Sequence, residues 1–261
     1  MRKGYTMLLA GSALKGYAIE ASDGRVGTVT DLLFDDSSWK IRWIVVNTGT
    51  WLTARKVLVH PSAVARPDYE RQKLPVALSR HQIEASPSIF RDQPVSQQIE
   101  NSLYDYYGWD PHWGGSYFGG GGIALPLSAP PYFGTSALRE PAGPGLLEDE
   151  GDPHLRSVAT VIGYHILASD GEIGHAENFL IEDVAWDIRY LIVDTSNWWL
   201  GKHVLISPYA VSKISYADHQ IAIDVDRDKV KSSPPWDPVG MIDTHYEKRL
   251  HRHYGWQGYG W

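Results

Sequence analysis

The chain has no cysteine. Disulfides, thiolate nucleophiles and Cys-ligated zinc or iron–sulfur centres are therefore excluded, and an export compartment is neither required nor ruled out. Cations are in deficit, with 24 Lys and Arg against 31 Asp and Glu and a net charge of −7. A phosphate-tracking protein draws its affinity from Lys and Arg that release counterions, so nucleic acid is not an expected partner. The densest basic stretch is only Lys248-Arg249 with His251-Arg252-His253. Long apolar runs are missing too. Met7-Leu8-Leu9-Ala10 is too brief for a signal-peptide core or a membrane span, and reads as a disordered or loosely docked leader on a cytoplasmic protein.

What is present is a duplication. The segment from Leu14 to about Trp113 recurs from Val161 onward, 147 residues later and without a gap. Gly16 answers to Gly163, Tyr17 to Tyr164, Ser22-Asp23-Gly24 to Ser169-Asp170-Gly171, Gly27 to Gly174, Trp39 to Trp186, Arg42 to Arg189, Trp51 to Trp198, Pro61 to Pro208, and Tyr107-Gly108-Trp109 to Tyr254-Gly255-Trp256. A repeat held in register over such a length is two copies of one domain, and a residue that differs between them is not needed for the shared fold. The copies are placed at 1–113 and 158–261. The stretch 114–157 between them is rich in Gly and Pro and reads as a flexible linker. It would let the copies dock as a pseudo-twofold pair within one chain; pairing between chains, as a homodimer, is the other arrangement.

Short β-rich runs alternate with turn signals in each copy, so the fold class is mainly β. The Ser-Asp-Gly triplets mark hairpins in which Gly supplies positive φ. Strands are expected at 26–34, 39–47, 56–60 and 74–78, with twins 147 residues on. In the run 39–47, Ile41, Trp43 and Val45 alternate with Arg42, Ile44 and Val46, which implies cover on both faces. Five or six short strands with a buried face are best satisfied by curling into a small barrel. An amphipathic helix is expected after each barrel. Val95, Ile99, Leu103 and Tyr107 recur every four residues, as do Ile242, Tyr246, Leu250 and Tyr254. Each stripe should cover a barrel, the alternative being that it docks on another protein.

The order Gly16-Tyr17, Ser22-Asp23-Gly24-Arg25-Val26-Gly27, Arg42-Trp43-Ile44-Val45-Val46, Val57-Leu58-Val59-His60-Pro61 resembles the PRC-barrel family, and the second copy repeats it from Gly163-Tyr164 to Val204-Leu205-Ile206-Ser207-Pro208. The family is named for the cytoplasmic domain of the photosynthetic reaction-centre H subunit and includes the C-terminal domain of a ribosome maturation factor. The Tyr-Gly-Trp tails at Tyr107 and Tyr254 are similar to those of tandem-barrel bacterial members. The resemblance implies two tandem PRC-type β-barrels and a non-enzymatic adaptor, without cofactor, that contacts other proteins. The H subunit's membrane helix and the maturation factor's separate N-terminal domain have no counterpart here. This favours a stand-alone soluble member over a photosynthetic electron-transfer or ribosome-assembly accessory.

Candidate chemistry is sparse. Ser22 to Gly27 lacks the Lys-Ser/Thr pair and following helix of a phosphate loop and is read as a turn. Asp224, Asp226 and Asp228 alternate like the start of a calcium loop, but Lys229 and Pro235 stand where its Gly and Glu belong, so they read as a solvated strand end. His251 and His253, near His245, point to different helix faces. His165, His175 and His203 stand opposite Ala18, Thr28 and Lys56 of the first copy, so they belong to no site shared by both. No catalytic, cofactor or metal residue is assigned. The abundant resource is aromatic, with eleven Trp and fifteen Tyr. Trp51, Trp198 and Trp199 in loops, and Trp109, Trp113, Trp256, Tyr259 and Trp261 among glycines, are candidate partner anchors, since they offer large apolar area at low entropic cost. Alternatively they fold back over the barrel ends. A second functional reading is a small-molecule or metal-binding module, its ligand held between the barrels by Asp224, Asp226 and His203.

Overall fold

The computed structural model describes residues 7–49, 55–86, 103, 152, 154–195, 203–237 and 242–259. The first copy runs β1 (Leu8–Ala10), a 3-10 turn (Gly11–Leu14), β2 (Ala18–Ala21), β3 (Gly24–Asp35), β4 (Lys40–Asn47), β5 (Lys56–Val59), β6 (Lys73–Pro75) and helix α1 (Arg80–Glu84). The second answers with β7 (Leu155–Ser157), α2 (Val158–Val161), β8 (His165–Ala168), β9 (Gly171–Glu182), β10 (Ile188–Asp194), β11 (His203–Ile206), β12 (Val211–Ser215), β13 (Gln220–Ile223), α3 (Arg227–Lys231) and α4 (Thr244–Tyr254). The chain is mainly β, in two sheets ordered β5-β4-β3-β2-β6 and β11-β10-β9-β8-β13-β12.

In the second sheet the ends of the path, β11 and β12, are joined by Ser207 and a 3-10 turn (Pro208–Ala210). Six flat strands would set those ends about 24 Å apart. The connection reaches about 18 Å at full stretch and less when coiled. The sheet therefore curls, and the described pairings trace an open path whose ends the chain brings together. β4 is buried at every position from Ile41 to Val46, as its doubly apolar pattern requires.

The Ser-Asp-Gly turns do more than reverse the chain. The carboxylates of Asp23 and Asp170 accept the backbone N–H of Arg80 and Arg227 at 2.7 and 2.9 Å, each tying its hairpin to the first turn of α1 or α3. Ser79 caps α1 reciprocally with Gln82, and Asp226, 147 residues on, caps α3 through the Lys229 N–H. This corrects the reading of Asp224, Asp226 and Asp228 as a strand end: β13 stops at Ile223, and Asp228 lies in the first turn of a helix.

A second correction concerns the N-terminus. Leu8–Ala10 is a strand, and it pairs with Leu180–Glu182 of the second copy. Leu155–Ser157, placed by sequence at the end of the linker, pairs in return with Leu33–Asp35 of the first. The two exchanges are equivalent residue for residue. Each copy receives its outer strand from the other, as in a domain-swapped dimer built within one chain. Asp36 and Asp183, also equivalent, clasp the visiting segments. Asp36 accepts from Arg156 Nε at 3.1 Å and from the Tyr216 hydroxyl at 2.7 Å. Asp183 accepts from the Met7 N–H at 2.8 Å and from the Tyr69 hydroxyl at 2.6 Å.

The pseudo-twofold axis passes between Lys40 and Asp187, which occupy the same position in their copies and pair at 2.5 Å. Trp39 and Trp186, both at positive φ (57° and 59°), offer their carbonyls to the Ile188 and Ile41 N–H groups across the seam. A true homodimer would set Lys40 against Lys40. Duplication lets the axis carry opposite charges, and phenyl rings of Phe34 and Phe179, both fully buried, meet beneath it at 5.8 Å.

Candidate functional site

Because shared residues account for the fold, the informative positions are those at which the copies differ. One such group lies under α4, where Tyr190, Ser207, His251 and Tyr259 stand in place of Trp43, His60, Tyr104 and His112, while Glu247 and Leu250 repeat Glu100 and Leu103. This helix starts at the Asp243 cap, ends at Gly255 in the left-handed region (φ 82°), and buries Tyr246 and Leu250 against Leu180, Tyr190, Ile192 and Leu205 of its own sheet. Its apolar stripe thus covers its own copy. Of the first copy's expected helix, only Leu103 is among the described residues; it is helical and buried.

Tyr190 replaces Trp43 in the second core and brings a hydroxyl that needs partners. The hydroxyl lies 3.0 Å from Glu247 Oε1 and 2.8 Å from His251 Nε2, while His251 Nδ1 faces the Gln257 carbonyl. A carbonyl only accepts, so neutral His251 carries its proton on Nδ1 and offers Nε2 to the phenol. Burial depresses the His251 pKa below its usual 6.5 and raises that of Glu247. For His251 the unfolded chain holds the proton more tightly, so its contribution to stability is lost as pH falls from 6.5 through the depressed folded value. The Glu247 shift has the opposite sign and acts from its ordinary 4.5 upward. Urea titrations at pH 5 and 7 should therefore show the native protein gaining stability with pH relative to His251→Gln; parallel pH dependences would refute the assignment.

The tail then folds back. Trp256 stacks on Tyr254 at 4.1 Å, and the Tyr259 hydroxyl donates to the Arg189 carbonyl at 2.7 Å and meets Ser207 Oγ at 2.7 Å. The Arg189 guanidinium lies 4.3 Å from the Tyr259 ring centroid. Trp256 and Tyr259, expected as partner anchors, are thus packed on their own sheet. Trp51, Trp109, Trp113, Trp198, Trp199 and Trp261 lie outside the described residues. Among the described residues, the aromatic that faces solvent is Tyr209, 51% exposed, stacked on Tyr259 at 5.4 Å. Sequence reasoning passed over it. The available signal was an aromatic standing where the first copy has Ser62.

The alternative ligand set is not assembled. Asp226 is spent on its helix cap, and His203 Nε2 pairs with Glu177 Oε2 at 2.9 Å. A cleft of about 230 Å³ does lie at the seam between the copies, lined by Gly11, Lys15, Val29, Asp31, Val158 and Ile162 among others; Asp224, Asp226 and His203 do not reach it. Asp31 is occupied there, accepting from the Ser157 hydroxyl at 2.6 Å and the Ala159 N–H at 3.2 Å. Among the described residues, no helix is long and apolar enough to cross a membrane.

Residues 8–78 match the family model of the PRC-barrel domain. The match lies within the first copy, ends before α1, and begins at β1, the strand that this chain gives to the other sheet. No curated protein matches the chain.

Proposed function

We propose that this chain, whose first copy is a PRC-barrel domain, is a non-catalytic docking module of the cytoplasm that binds another protein through the aromatic end of its second copy. The observation that carries the reading is Tyr209. Its ring is half exposed and rests on Tyr259, which Arg189 and Ser207 hold in place. An aromatic whose rotamer is fixed before a partner arrives contributes apolar area at little entropic cost, which is the character of an interface hot spot. Buried Tyr190 and His251 and half-buried Glu247, which a catalyst would draw on, are held together beneath α4 by the Tyr190 hydroxyl, and this supports a structural use for them.

The test is a photo-crosslinking amino acid placed at position 209 or at its equivalent, Ser62, with irradiation in the native host. A defined partner joined at 209 and absent at 62 is the expected result. No adduct at 209, or the same adducts at both positions, would defeat the proposal.

A further inference from the structure

We propose that the solvent face of the second sheet holds a divalent transition-metal cation of the zinc, nickel or copper class through His175, Asp194 and His203, with Glu177 as a fourth donor. The inference starts from register. His165 pairs with His175 across β8 and β9, His175 with Asp194 across β9 and β10, and Asp194 with His203 across β10 and β11. Directly opposed residues of neighbouring strands point to the same face, so three imidazoles and a carboxylate form one row across four strands. The row exists because β9 carries an extra residue: between the pairs Leu167↔Glu172 and Ile166↔Gly174 the register slips by one, which sets His175 rather than Gly174 opposite His165.

The donor atoms already keep company. His175 Nε2 lies 3.7 Å from Asp194 Oδ2, and His203 Nε2 lies 2.9 Å from Glu177 Oε2. Ligands about 2.1 Å from a tetrahedral metal stand about 3.4 Å from one another, so both separations suit adjacent positions around one ion. Imidazole nitrogen with carboxylate oxygen is the donor set that such cations prefer, whereas calcium and magnesium require oxygen alone. His175 and His203 sit two strand spacings apart, about 10 Å, with Asp194 between them. Each imidazole can turn inward about χ1 and χ2 while the backbone stays fixed, because their side chains are 35% and 28% exposed. The turn is needed: among the described residues, no three His or acidic side chains converge on a single point as they stand.

The first copy is an internal contrast. On the same scaffold it places Thr28, Asn47, Lys56 and Thr30 at the four positions, with an ammonium where the second histidine would be. Fold maintenance therefore does not require the row. The charge is suitable as well, since Asp194 and Glu177 contribute two carboxylates where the first copy has Asn47 and Thr30.

Titration calorimetry of the full chain with zinc chloride at pH 7.5 tests this, on the native protein, His175→Ala, His203→Ala and the control His245→Ala on the exposed side of α4. One saturable site is expected, weakened about tenfold or more by either row substitution and unchanged in the control, as loss of a direct ligand should cost at least what loss of a supporting group does. A second readout uses Trp236, whose ring lies 6.4 Å from that of His203. Copper should quench its emission in the native protein and not in His203→Ala, the difference vanishing in Trp236→Phe. No saturable zinc binding, or binding that both row variants keep at full strength, would overturn the proposal; the second result would assign the ion to histidines elsewhere. Far-ultraviolet circular dichroism of each variant separates loss of binding from loss of fold.

Discussion

Removing residues 1–10 is expected to destabilise the second copy, not the one to which those residues are joined in sequence. The deletion strips β1 from Leu180–Glu182, takes Leu8 away from the cluster of Tyr190, Leu205 and Leu250, and removes the Met7 N–H from the buried Asp183 carboxylate. Fully covering an aliphatic side chain is worth about 1.5–3 kcal/mol, of which half-buried Leu8 realises a part, and Asp183 loses one hydrogen bond, worth about 0.5–1.5 kcal/mol, while keeping the Tyr69 hydroxyl. A loss of about 2 kcal/mol follows for the truncated chain, read by urea unfolding. Hydrogen exchange locates it. Protection should fall at 180–182 and along α4, while β2 and the Gly24–Thr28 end of β3 keep theirs. Loss confined to the first copy would mean that β1 serves its own sheet, and the exchange would have to be abandoned.

That exchange could not be read from the sequence, for a physical reason. The apolar pattern of Leu8-Leu9-Ala10 records that the segment is covered and is silent on which of two near-identical sheets covers it. Only three residues long, the strand also falls below the length at which alternation identifies a strand at all. What could be read was whatever repeats locally: the duplication, the hairpins at Asp23 and Asp170, the double-faced β4 and β10, and the stripe of α4. The short helices are hidden by period. Asp224, Asp226 and Asp228 alternate as on a strand, yet Ser79 is followed by Gln82, the third residue of a capping box, and Asp226 stands at the equivalent position of the second copy.

The site residues divide along the same line. Comparing the copies position by position shows that His165, His175 and His203 have no counterparts, so they belong to no site shared by both copies. Register adds that they stand in one row of the second copy, since residues far apart in sequence become neighbours through strand pairing and a bulge. Trp256 and Tyr259 were expected to anchor a partner because they stand on glycine-rich backbone. The backbone there turns inward, because Ser207, the Arg189 carbonyl and the face of α4 offer both polar and apolar satisfaction.

The other large effect concerns Gly174, beside that row. An alanine Cβ there would lie 1.9 Å from the Asp194 carbonyl oxygen, on backbone with φ of +137°. Neither partner can yield cheaply, for both are main chain within one strand pair. Gly163→Ala is the matched control: it has positive φ, +92°, but nothing within 4 Å of the added carbon. Conformational strain alone should cost the control about 1 kcal/mol. Gly174→Ala adds a backbone collision that only separation of β9 from β10 relieves, and a loss above about 4 kcal/mol is expected, which few domains survive. Thermal denaturation of the two variants decides the matter, and equal melting temperatures would show that β9 and β10 do not approach as closely as described. Gly27→Ala, with its Cβ 2.1 Å from the Asn47 carbonyl oxygen, should repeat the effect in the first copy, since the same close crossing recurs there. In the second copy the crossing also fixes the spacing of His175 from Asp194. A Gly174→Ala chain that retained its fold should therefore still lose the zinc site, because the strand shift that relieves the collision draws those two donors apart.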